Sequence, residues 1–499
     1  MTVALHWPIV VPFLTAVASL VAGRRWRVRH AISLTGSVVH FAIVLLLLVG
    51  VADRGILVAQ MGNWPAPFGI TLVADRLSAM LTAITGFVGL CAVVYARSDI
   101  PGPLQKGSFH AFLQVLVGAI CGAFLAGDLF NLYVWFEVML MASFALLVLG
   151  QTRAQLDGGV KYVAINLVAT LLFLSGVGLL YGLTGTLNLA DLHLKVAAVG
   201  DQGLVLLVSG LFLMAFGIKA ALFPMFFWLP AAYHTPPVTV TAVFAGLLTK
   251  VGVYALLRLY TLVFVTDTAF THTLLLVLAL MTMVTGVLGA AAQGDVRRIL
   301  SFHIISQVGY MVLGLALFTP LAIGGAVFYL LHHIVVKANL FFVSGVMKRL
   351  GGSFELAHLG GFFRSRRVLT LAFFIPAFSL AGFPPLSGFW AKMALIRASL
   401  EVDMPLVAAV AAAVGLMTVY SMTKIWNEAF WKPSAVPVGD PPAESPSPLF
   451  WLLAPVVAMA LITVALGVWP EPFMGYALMA AEDLTTPERY VRAVLGAGP

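Results

Sequence analysis

The sequence is poor in charged residues. Only 10% of its 499 residues are Asp, Glu, Lys or Arg, whereas a soluble globular domain carries roughly 25%. So few charged side chains cannot coat a water-facing surface of this size. Because 61% of the residues are hydrophobic and the apolar segments follow one another with few breaks, the composition indicates one membrane domain rather than several soluble ones.

The sequence also lacks the motifs of cofactor and metal chemistry. Its two cysteines, Cys91 and Cys121, lie inside apolar segments and form no metal or redox spacing. It has no phosphate-binding glycine loop with its lysine and no dinucleotide fingerprint. We therefore expect no cofactor, no metal site, no catalytic residue and no nucleic-acid partner. Energy for any transport must come from an ion gradient or from a partner protein.

The apolar segments predict an all-α polytopic membrane protein with about fourteen transmembrane helices. Crossing the hydrocarbon takes about 20 apolar residues. By this measure the predicted helices are 3–22, 31–52, 76–96, 108–127, 130–150, 159–184, 203–229, 238–262, 271–293, 299–318, 322–347, 368–396, 404–430 and 448–469. Residues 54–73 are predicted to form a hairpin or re-entrant turn, residues 432–448 a flexible loop, and the residues from about 484 a short interfacial helix.

The basic residues predict the orientation of these helices. Four arginines follow the first apolar segment and none precedes it, which indicates an anchor rather than a signal peptide. When the loops are assigned alternately, starting from a cytoplasmic first loop, roughly sixteen basic residues fall inside and six outside. This bias follows the positive-inside rule. It predicts a bacterial cell-membrane protein with both termini outside the cytoplasm.

Two segments of the chain resemble each other at a fixed offset. Gly127-Asp128 recurs as Gly294-Asp295, and 189–192 (Leu-Ala-Asp-Leu) recurs as 356–359 (Leu-Ala-His-Leu). Five predicted helices separate the copies, so the second copy enters the membrane in the opposite direction. Inverted repeats with broken helices are typical of secondary transporters. We therefore divide the chain into N-terminal helices (1–107), a first five-helix repeat (108–262), a second inverted repeat (271–430) and a C-terminal part (431–499).

Five charged residues lie deep inside predicted helices. Each opposes membrane insertion by about 2.5–3.5 kcal/mol, which a purely structural role rarely requires. Burial lowers the pKa of a lysine in general and a nearby carboxylate raises it, so a movable pair can take up and release a proton. We therefore predict proton translocation along a buried line with Glu137 and Lys219 as the switchable pair. The line consists of Glu137, Lys219, Lys250, Lys337 and Lys392.

Other residues give weaker signals, and some alternatives stay open. Glu137 and Lys219 could form a static ion pair, and Lys250 and Lys337 could each cap a carbonyl or reach the interface. Prolines beside the lysines should break helices and expose polar backbone at membrane depth; the predicted breaks are at Pro224, Pro230, Pro384 and Pro385. Possible proton relays are His234, His332 and His333. Asp75, Asp128 and Asp295 are expected to begin helices.

With these residues in view, the sequence resembles the antiporter-like membrane subunits shared by respiratory complex I and Mrp-type multisubunit cation/proton antiporters. The segments 63–70, 245–258 and 332–337 are similar to that family. The resemblance implies that Glu137 and the lysines line a central hydrophilic axis. It also implies sodium, or potassium or lithium, exchange against protons. The implied partners are a larger A-type protein, whose long C-terminal extension this chain lacks, and several small membrane subunits.

Two further hypotheses compete with this one. In the first, redox chemistry elsewhere in a complex I-like oxidoreductase or a membrane-bound hydrogenase drives the same lysine line. In the second, the chain is an inert scaffold, which leaves five buried charges unexplained. The two repeats are also not equivalent, because the counterpart of Glu137 is Ile304 with His303 beside it. We infer that only the first repeat holds a switchable carboxylate–lysine pair.

Overall fold

The computed structural model describes residues 5–23, 25–433 and 449–496, and the fold is almost entirely helical. The first half contains α1 (Trp7–Val21), α2 (Trp26–Arg54), α3 (Arg76–Asp99), α4 (Gly102–Lys106), α5 (Phe109–Leu125), α6 (Leu129–Leu147), α7 (Arg153–Thr184), α8 (Leu189–Ala197), α9 (Gln202–Ala220), α10 (Trp228–Ala232), α11 (Val238–Val243) and α12 (Thr249–Leu262). A π-helical turn, Phe244–Leu248, joins α11 and α12 into one continuous helix.

The second half contains α13 (Thr268–Ala291), α14 (Val296–Leu317), α15 (Pro320–Gly351), α16 (Phe362–Ser365), α17 (Arg367–Ala381), α18 (Ser387–Glu401), α19 (Pro405–Trp426), α20 (Phe450–Val468), α21 (Pro470–Thr485) and α22 (Pro487–Leu495). A π-helical turn, Asn427–Trp431, extends α19. Arg24, the beginning of the predicted first helix and all but the first two residues of the predicted 432–448 loop lie outside the described residues.

The prediction of about fourteen membrane segments is confirmed. Among the described residues, eleven helices are long and apolar enough to cross a membrane, and α1, α5 and α17 are shorter apolar helices. Each predicted segment corresponds to one of them, although segment 368–396 is divided between α17 and α18. The prediction missed α21, because its 16 residues include three carboxylates and fall short of the 20 apolar residues that the search required. The predicted interfacial helix corresponds to α22.

A two-stranded hairpin marks one end of the helical bundle. Strands β1 (Leu57–Gln60) and β2 (Thr71–Ala74) pair antiparallel, with Leu57 opposite Ala74. They confirm the hairpin predicted for residues 54–73. We call this the hairpin end. The opposite end, which we call the basic end, carries Asp99 at the close of α3, bonded to Thr239, and Arg297 at the start of α14, bonded to Pro236.

The backbone confirms the internal repeat. The Leu129 amide donates to the Leu187 carbonyl and the Leu189 amide to that of Gly127. At an offset of 167 residues, Val296 donates to Phe354 and Leu356 to Gly294. The first bridge lies against β2 at the hairpin end, since the Gly127 amide donates to Thr71, whereas the second lies at the basic end. The same local structure therefore occurs at opposite ends, as an inverted repeat requires.

Helix starts follow the expected aspartates. The side chains of Asp75, Asp128 and Asp295 accept the backbone amides of Ser78, Asn131 and Arg298 at the beginnings of α3, α6 and α14. An N-cap of this kind satisfies one of the orphan donors of the first turn. The expectation that these carboxylates begin helices is confirmed.

Asp75 has a second role that the sequence did not indicate. The Arg258 guanidinium donates to Asp75 Oδ2 at 2.5 Å, and the two side chains are only 4% and 2% exposed. Burial by itself raises the pKa of Asp75, but the Arg258 charge and the bond from Ser78 outweigh it and hold the pKa below 3.8. The ion pair joins the beginning of α3 to α12 at the hairpin end.

We expect Asp75→Asn to destabilise the protein, because it leaves the Arg258 guanidinium buried without its anion. Removing one partner of a buried pair costs about 3–5 kcal/mol. Because the pKa of Asp75 is lowered, the contribution of the pair is present at neutral pH and is lost only as the pH falls through that lowered pKa. The measurement is the midpoint of thermal unfolding at neutral pH, which should fall by several degrees.

Two variants control this experiment. Asp157→Asn breaks an exposed pair with Lys161 and should leave the midpoint almost unchanged. Adding Arg258→Met to Asp75→Asn removes the uncompensated charge and should recover much of the loss. Equal midpoints for Asp75→Asn and Asp157→Asn would show that the buried pair does not stabilise the fold.

Candidate functional site

In the first repeat, a threonine connects the predicted carboxylate and lysine. Thr170 Oγ1 of α7 donates to Glu137 Oε1 of α6 at 2.6 Å. Lys219 Nζ of α9 donates to the same Thr170 oxygen at 3.5 Å. Among the described residues no ion pair within 4.0 Å joins Glu137 to Lys219. The two side chains are therefore linked through a hydroxyl rather than by a direct salt bridge.

Helix ends place Lys219 in this position. It lies in the last turn of α9, which ends at Ala220, and Ala221 takes a left-handed conformation with φ 64°. Its Nζ lies 5.0 Å from the centre of the Phe136 ring, one residue from Glu137. At Gly252 of α12, a Cβ would lie 2.7 Å from the backbone nitrogen of Ala220. The absent side chain thus lets α12 approach the end of α9.

A small cavity lies beside Lys219. Its volume is about 20 Å³ to the centre of a water-sized sphere, enough for about one water molecule. Besides Lys219 the lining includes Tyr162, Asn166 and Tyr233, as well as Leu248, two residues before Lys250. The buried Tyr233 hydroxyl has no hydrogen-bond partner among the described residues. The cavity therefore leads from Lys219 toward the π-helical turn.

Lys250 follows that turn directly and is completely buried. A π-helical turn shifts backbone bonding from i−4 to i−5. Lys250 Nζ donates at 2.5 Å to the carbonyl of Ala245, which lies inside the turn. The carbonyl-capping alternative raised from the sequence therefore describes the contact of Lys250 in this structure.

The middle lysine of the second repeat lies among histidines. Lys337 Nζ of α15 donates to the Leu300 carbonyl of α14 at 3.2 Å. His333, one turn earlier, interacts electrostatically with both Lys250 and Lys337, and also with His303. All these side chains are completely buried, and neither ring nitrogen of His303 or His333 has a partner among the described residues. His333 therefore lies between the two repeats.

Lys392 lies beside the second helix break. The chain leaves helical conformation between α17, which ends at Ala381, and α18, which begins at Ser387, so Pro384 and Pro385 lie inside the break. Lys392 Nζ reaches back to the carbonyls of Leu380 and Ala381 at 2.9 and 3.0 Å. Helix breakage has freed these carbonyls, and the lysine occupies them.

A chain of hydrogen bonds and ring contacts connects Lys392 to the histidines. Lys392 Nζ lies 5.3 Å from the centre of the Tyr310 ring, which stacks on Tyr329. The Tyr329 hydroxyl donates to Gln307 Oε1, and its ring contacts those of His332 and His333. The second repeat is therefore polar from Lys337 to Lys392.

His332 faces the helix break rather than the lysine line. Its Nδ1 lies 2.8 Å from Ser387 Oγ, which lies 2.9 Å from Ser379 Oγ. A Cβ at Gly388 would lie 1.8 Å from the Ser379 carbonyl oxygen, so only glycine allows α17 and α18 to approach this closely. His332 and His333 point in different directions, as neighbouring residues on a helix must.

His234 lies at an open polar cavity at the basic end. The cavity has a volume of about 660 Å³, and its lining includes Asp295, Arg298, Glu355 and Lys424. His234 Nδ1 lies 2.8 Å from the Pro230 carbonyl, and Nε2 lies 3.4 Å from Arg298. Burial lowers the pKa of His234, the Pro230 carbonyl raises it, and nearby arginines lower it further, with a net decrease. The imidazole is therefore neutral at pH 7 and able to accept a proton.

The structure differs from the sequence prediction in its connecting residues. Thr170, Gln307, Tyr310 and Ser387 contact predicted site residues, yet none is unusual for its helix. Partners lie 22 to 55 positions apart, as Gln307 from Tyr329 and Ser387 from His332, so local spacing gives no signal. Pro224 lies in the interruption between α9 and α10, and Pro230 lies within the short α10.

The comparisons with known proteins agree over nearly the whole chain. Residues 126–418 match the family described as NADH:quinone oxidoreductase/Mrp antiporter, TM. The D-type Na(+)/H(+) antiporter subunit of Alkalihalophilus pseudofirmus is 45% identical over 98% of both chains. The protein of the same name from Bacillus subtilis is 38% identical, also over 98% of both chains.

Two solved structures share the fold. A chain of the Mrp complex from Dietzia sp. DQ12-45-1b superposes with a TM-score of 0.91 at 32% identity, covering 99% of this chain and 100% of that one. A chain of respiratory complex I from Thermus thermophilus superposes with a TM-score of 0.83, covering 97% and 100%; at 24% identity it shows the fold alone. The chain thus belongs to the NADH:quinone oxidoreductase/Mrp antiporter family of membrane subunits, and within it to the D-type antiporter subunits.

Proposed function

We propose that the chain is the proton-translocating subunit of a multisubunit Na⁺/proton antiporter. Protons move along the buried line of Glu137, Lys219, Lys250, Lys337 and Lys392. The observation that carries the proposal is the Glu137–Thr170–Lys219 chain. In it a carboxylate and a lysine share one hydroxyl, with room for about one water molecule beside the lysine.

The first repeat acts as the switch. When Glu137 approaches Lys219, the carboxylate favours the protonated amine, and when it retreats the amine releases its proton. Thr170 supports this because its hydroxyl can donate to Glu137 while it accepts from Lys219. The water-sized cavity extends from Lys219 to Leu248, next to Lys250. A proton released by Lys219 therefore has a short path to the following lysine.

The second repeat receives the proton without a carboxylate of its own. His333 lies between Lys250 and Lys337, and its ring nitrogens have no competing partners among the described residues. A neutral histidine can accept a proton at one nitrogen and donate one from the other. Gln307, Tyr329 and Tyr310 continue the polar line to Lys392. His332 supports the line by holding the edge of the helix break through Ser387.

The basic end faces the cytoplasm in this proposal, and both termini lie outside. The positive-inside rule favours this orientation. The open cavity at His234 is then the cytoplasmic mouth, where a neutral imidazole can exchange protons with water. The partners are a larger A-type protein and several small membrane subunits, as the named relatives and the Mrp complex suggest.

The division of labour follows from the side chains of the line. It contains four lysines and one carboxylate, a poor environment for Na⁺, whereas hard cations prefer several oxygen ligands. We infer that this chain carries the proton and that a partner protein of the complex carries the metal ion. A redox-driven pump remains the second candidate because the complex I chain has the same fold. Neighbouring reading frames that encode small antiporter subunits, rather than quinone- or iron–sulfur-binding subunits, would favour the antiporter.

Replacing either member of the switch should abolish transport. We expect Glu137→Gln or Lys219→Ala to reduce sodium-induced proton flux by roughly 10²-fold, a typical loss for a positioned proton-transfer group. The measurement uses the intact complex in inverted vesicles from an antiporter-deficient strain, and blotting of the other subunits confirms assembly. Asp157→Asn, which removes an exposed carboxylate, is the matched control. Normal flux in both variants would reduce the pair to a structural contact.

Thr170 separates a relay from simple proximity. We expect Thr170→Val to lower the flux several-fold, because it keeps the shape of the side chain but removes the shared hydroxyl, whereas Thr170→Ser should retain most of the flux. Both variants are compared by initial rates of sodium-induced proton flux at equal assembly. Equal rates for valine and serine would mean that the proton does not need this hydroxyl.

The isolated chain should not exchange sodium for protons. We expect vesicles that contain only this chain to show no sodium-dependent proton flux, because they lack the protein that carries the metal ion. Vesicles with the whole complex, prepared in the same way, are the positive control. Sodium–proton exchange by the isolated chain would contradict the division of labour while leaving the proton line intact.

A further inference from the structure

An apolar crevice opens between α2, α3 and α21 on the side of the bundle. Its volume is about 480 Å³, and its lining includes Leu48 and Ala52 of α2, Met80 and Ile84 of α3, and Phe473 of α21. Almost every lining atom is apolar. Such a space is not filled by water, which needs polar partners, and an empty crevice would forfeit the contacts of its walls. Something apolar from outside the chain must occupy it.

The crevice leads toward a charged pocket at the hairpin end. That pocket has a volume of about 520 Å³ and is lined by Arg76, Asp483, Glu488, Arg489 and Arg492, among others. The same three helices form both spaces: Arg76 lies one turn before Met80 on α3, and Gly55 closes α2 three residues after Ala52. At the junction, the Tyr476 hydroxyl donates to the Arg76 carbonyl at 3.2 Å.

The dimensions distinguish between the possible occupants. A spanning helix is about 10 Å wide and 30 Å long, so it needs several times the volume of the crevice. A single acyl chain is narrow and flexible, and 480 Å³ falls within the range of cavities that hold one small ligand. The size of the crevice thus fits an acyl chain and not a helix of a partner protein.

The charges in the pocket indicate the other end of the occupant. Arg76 is paired with Asp483, and Arg489 with Glu482 and Asp483. Arg492 has no ion pair among the described residues and lies exposed on the polar face of α22, whose Tyr490 and Val494 are buried. An unpaired guanidinium beside a second one, at the end of an apolar crevice, matches a phosphate group.

We propose that this crevice and pocket form a site for an anionic phospholipid of the phosphatidylglycerol type. One acyl chain occupies the crevice, and the phosphate contacts Arg492 and Arg489. The site has a structural link to the lysine line, because Leu331 lines the crevice and precedes His332 on α15. The lipid therefore packs against the helix that carries His332, His333 and Lys337.

The test uses native mass spectrometry of the intact complex, purified in mild detergent from cells, with each retained lipid identified by fragmentation. Ala52→Trp fills the crevice from its exposed edge, and Arg492→Glu reverses the unpaired charge. Their matched controls are Ala164→Trp, at an exposed alanine of α7, and Arg397→Glu, at an exposed arginine of α18. All four positions lie on the surface, so assembly should persist, and blotting confirms it.

We expect the wild-type complex to retain an anionic phospholipid that both site variants lose by more than about tenfold, since each basic residue contributes on the order of a fivefold affinity change and the reversal counts twice. Both controls should retain it. Retention in Ala52→Trp with loss in Arg492→Glu would indicate a phosphate without an acyl chain. That result overturns the proposal, as would equal retention in all variants, a zwitterionic lipid in the site, or no retained lipid in the wild type.

Discussion

The structure depends on how a lysine side chain is accommodated in a medium without water. Each such residue opposes insertion by about 2.5–3.5 kcal/mol, and the protein offsets this cost with backbone carbonyls. Lys250 bonds a carbonyl inside a π-helical turn, Lys337 a carbonyl of the neighbouring helix α14, and Lys392 two carbonyls at a broken helix end. Lys219 bonds a side chain instead. The irregular backbone is therefore positioned where the amines need acceptors, which explains why helix breaks and buried lysines occur together.

This arrangement gives the two repeats different properties. In the first repeat the lysine precedes the break and its partner, Thr170, also holds a carboxylate, so the amine can be protonated or released as Glu137 moves. In the second repeat the lysine follows the break and reaches back to carbonyls that cannot move away or change charge. An inverted repeat places similar helices around the axis, but the position of the lysine relative to the break decides whether the site can switch. His333 lies where the two environments meet, and its ring nitrogens, unpartnered among the described residues, suit a transfer between them.

The sequence predicted the membrane segments, the inverted repeat and the five charged residues because each rests on a strong physical penalty. A missing span or an uncompensated charge costs several kcal/mol, so the pattern is visible in one chain. The connections were not predictable, because Thr170 and Gln307 are ordinary helix residues whose partners are set by packing. Arg258 was missed for a related reason: it lies within two turns of a helix end, where a long side chain usually reaches water, and Asp75 lies 183 residues away. Helix α21 was missed because it is too short and too acidic for a span.

The hairpin end shows how the parts of the chain constrain one another. Arg258 lies two turns beyond Lys250 on α12 and is held by Asp75 at the start of α3, while the next residue, Arg76, binds Asp483 of α21. Arg258 also lies over the ring of Tyr490 in α22, at 5.2 Å from its centre. The helix that carries Lys250 is therefore fixed at one end to the N-terminal helices and to the C-terminal pair α21 and α22. At its other end it contains the π-helical turn, whose bonding pattern is the less regular. Movement of Lys250 relative to Lys219 should therefore occur by rearrangement of that turn, with the hairpin end remaining in place.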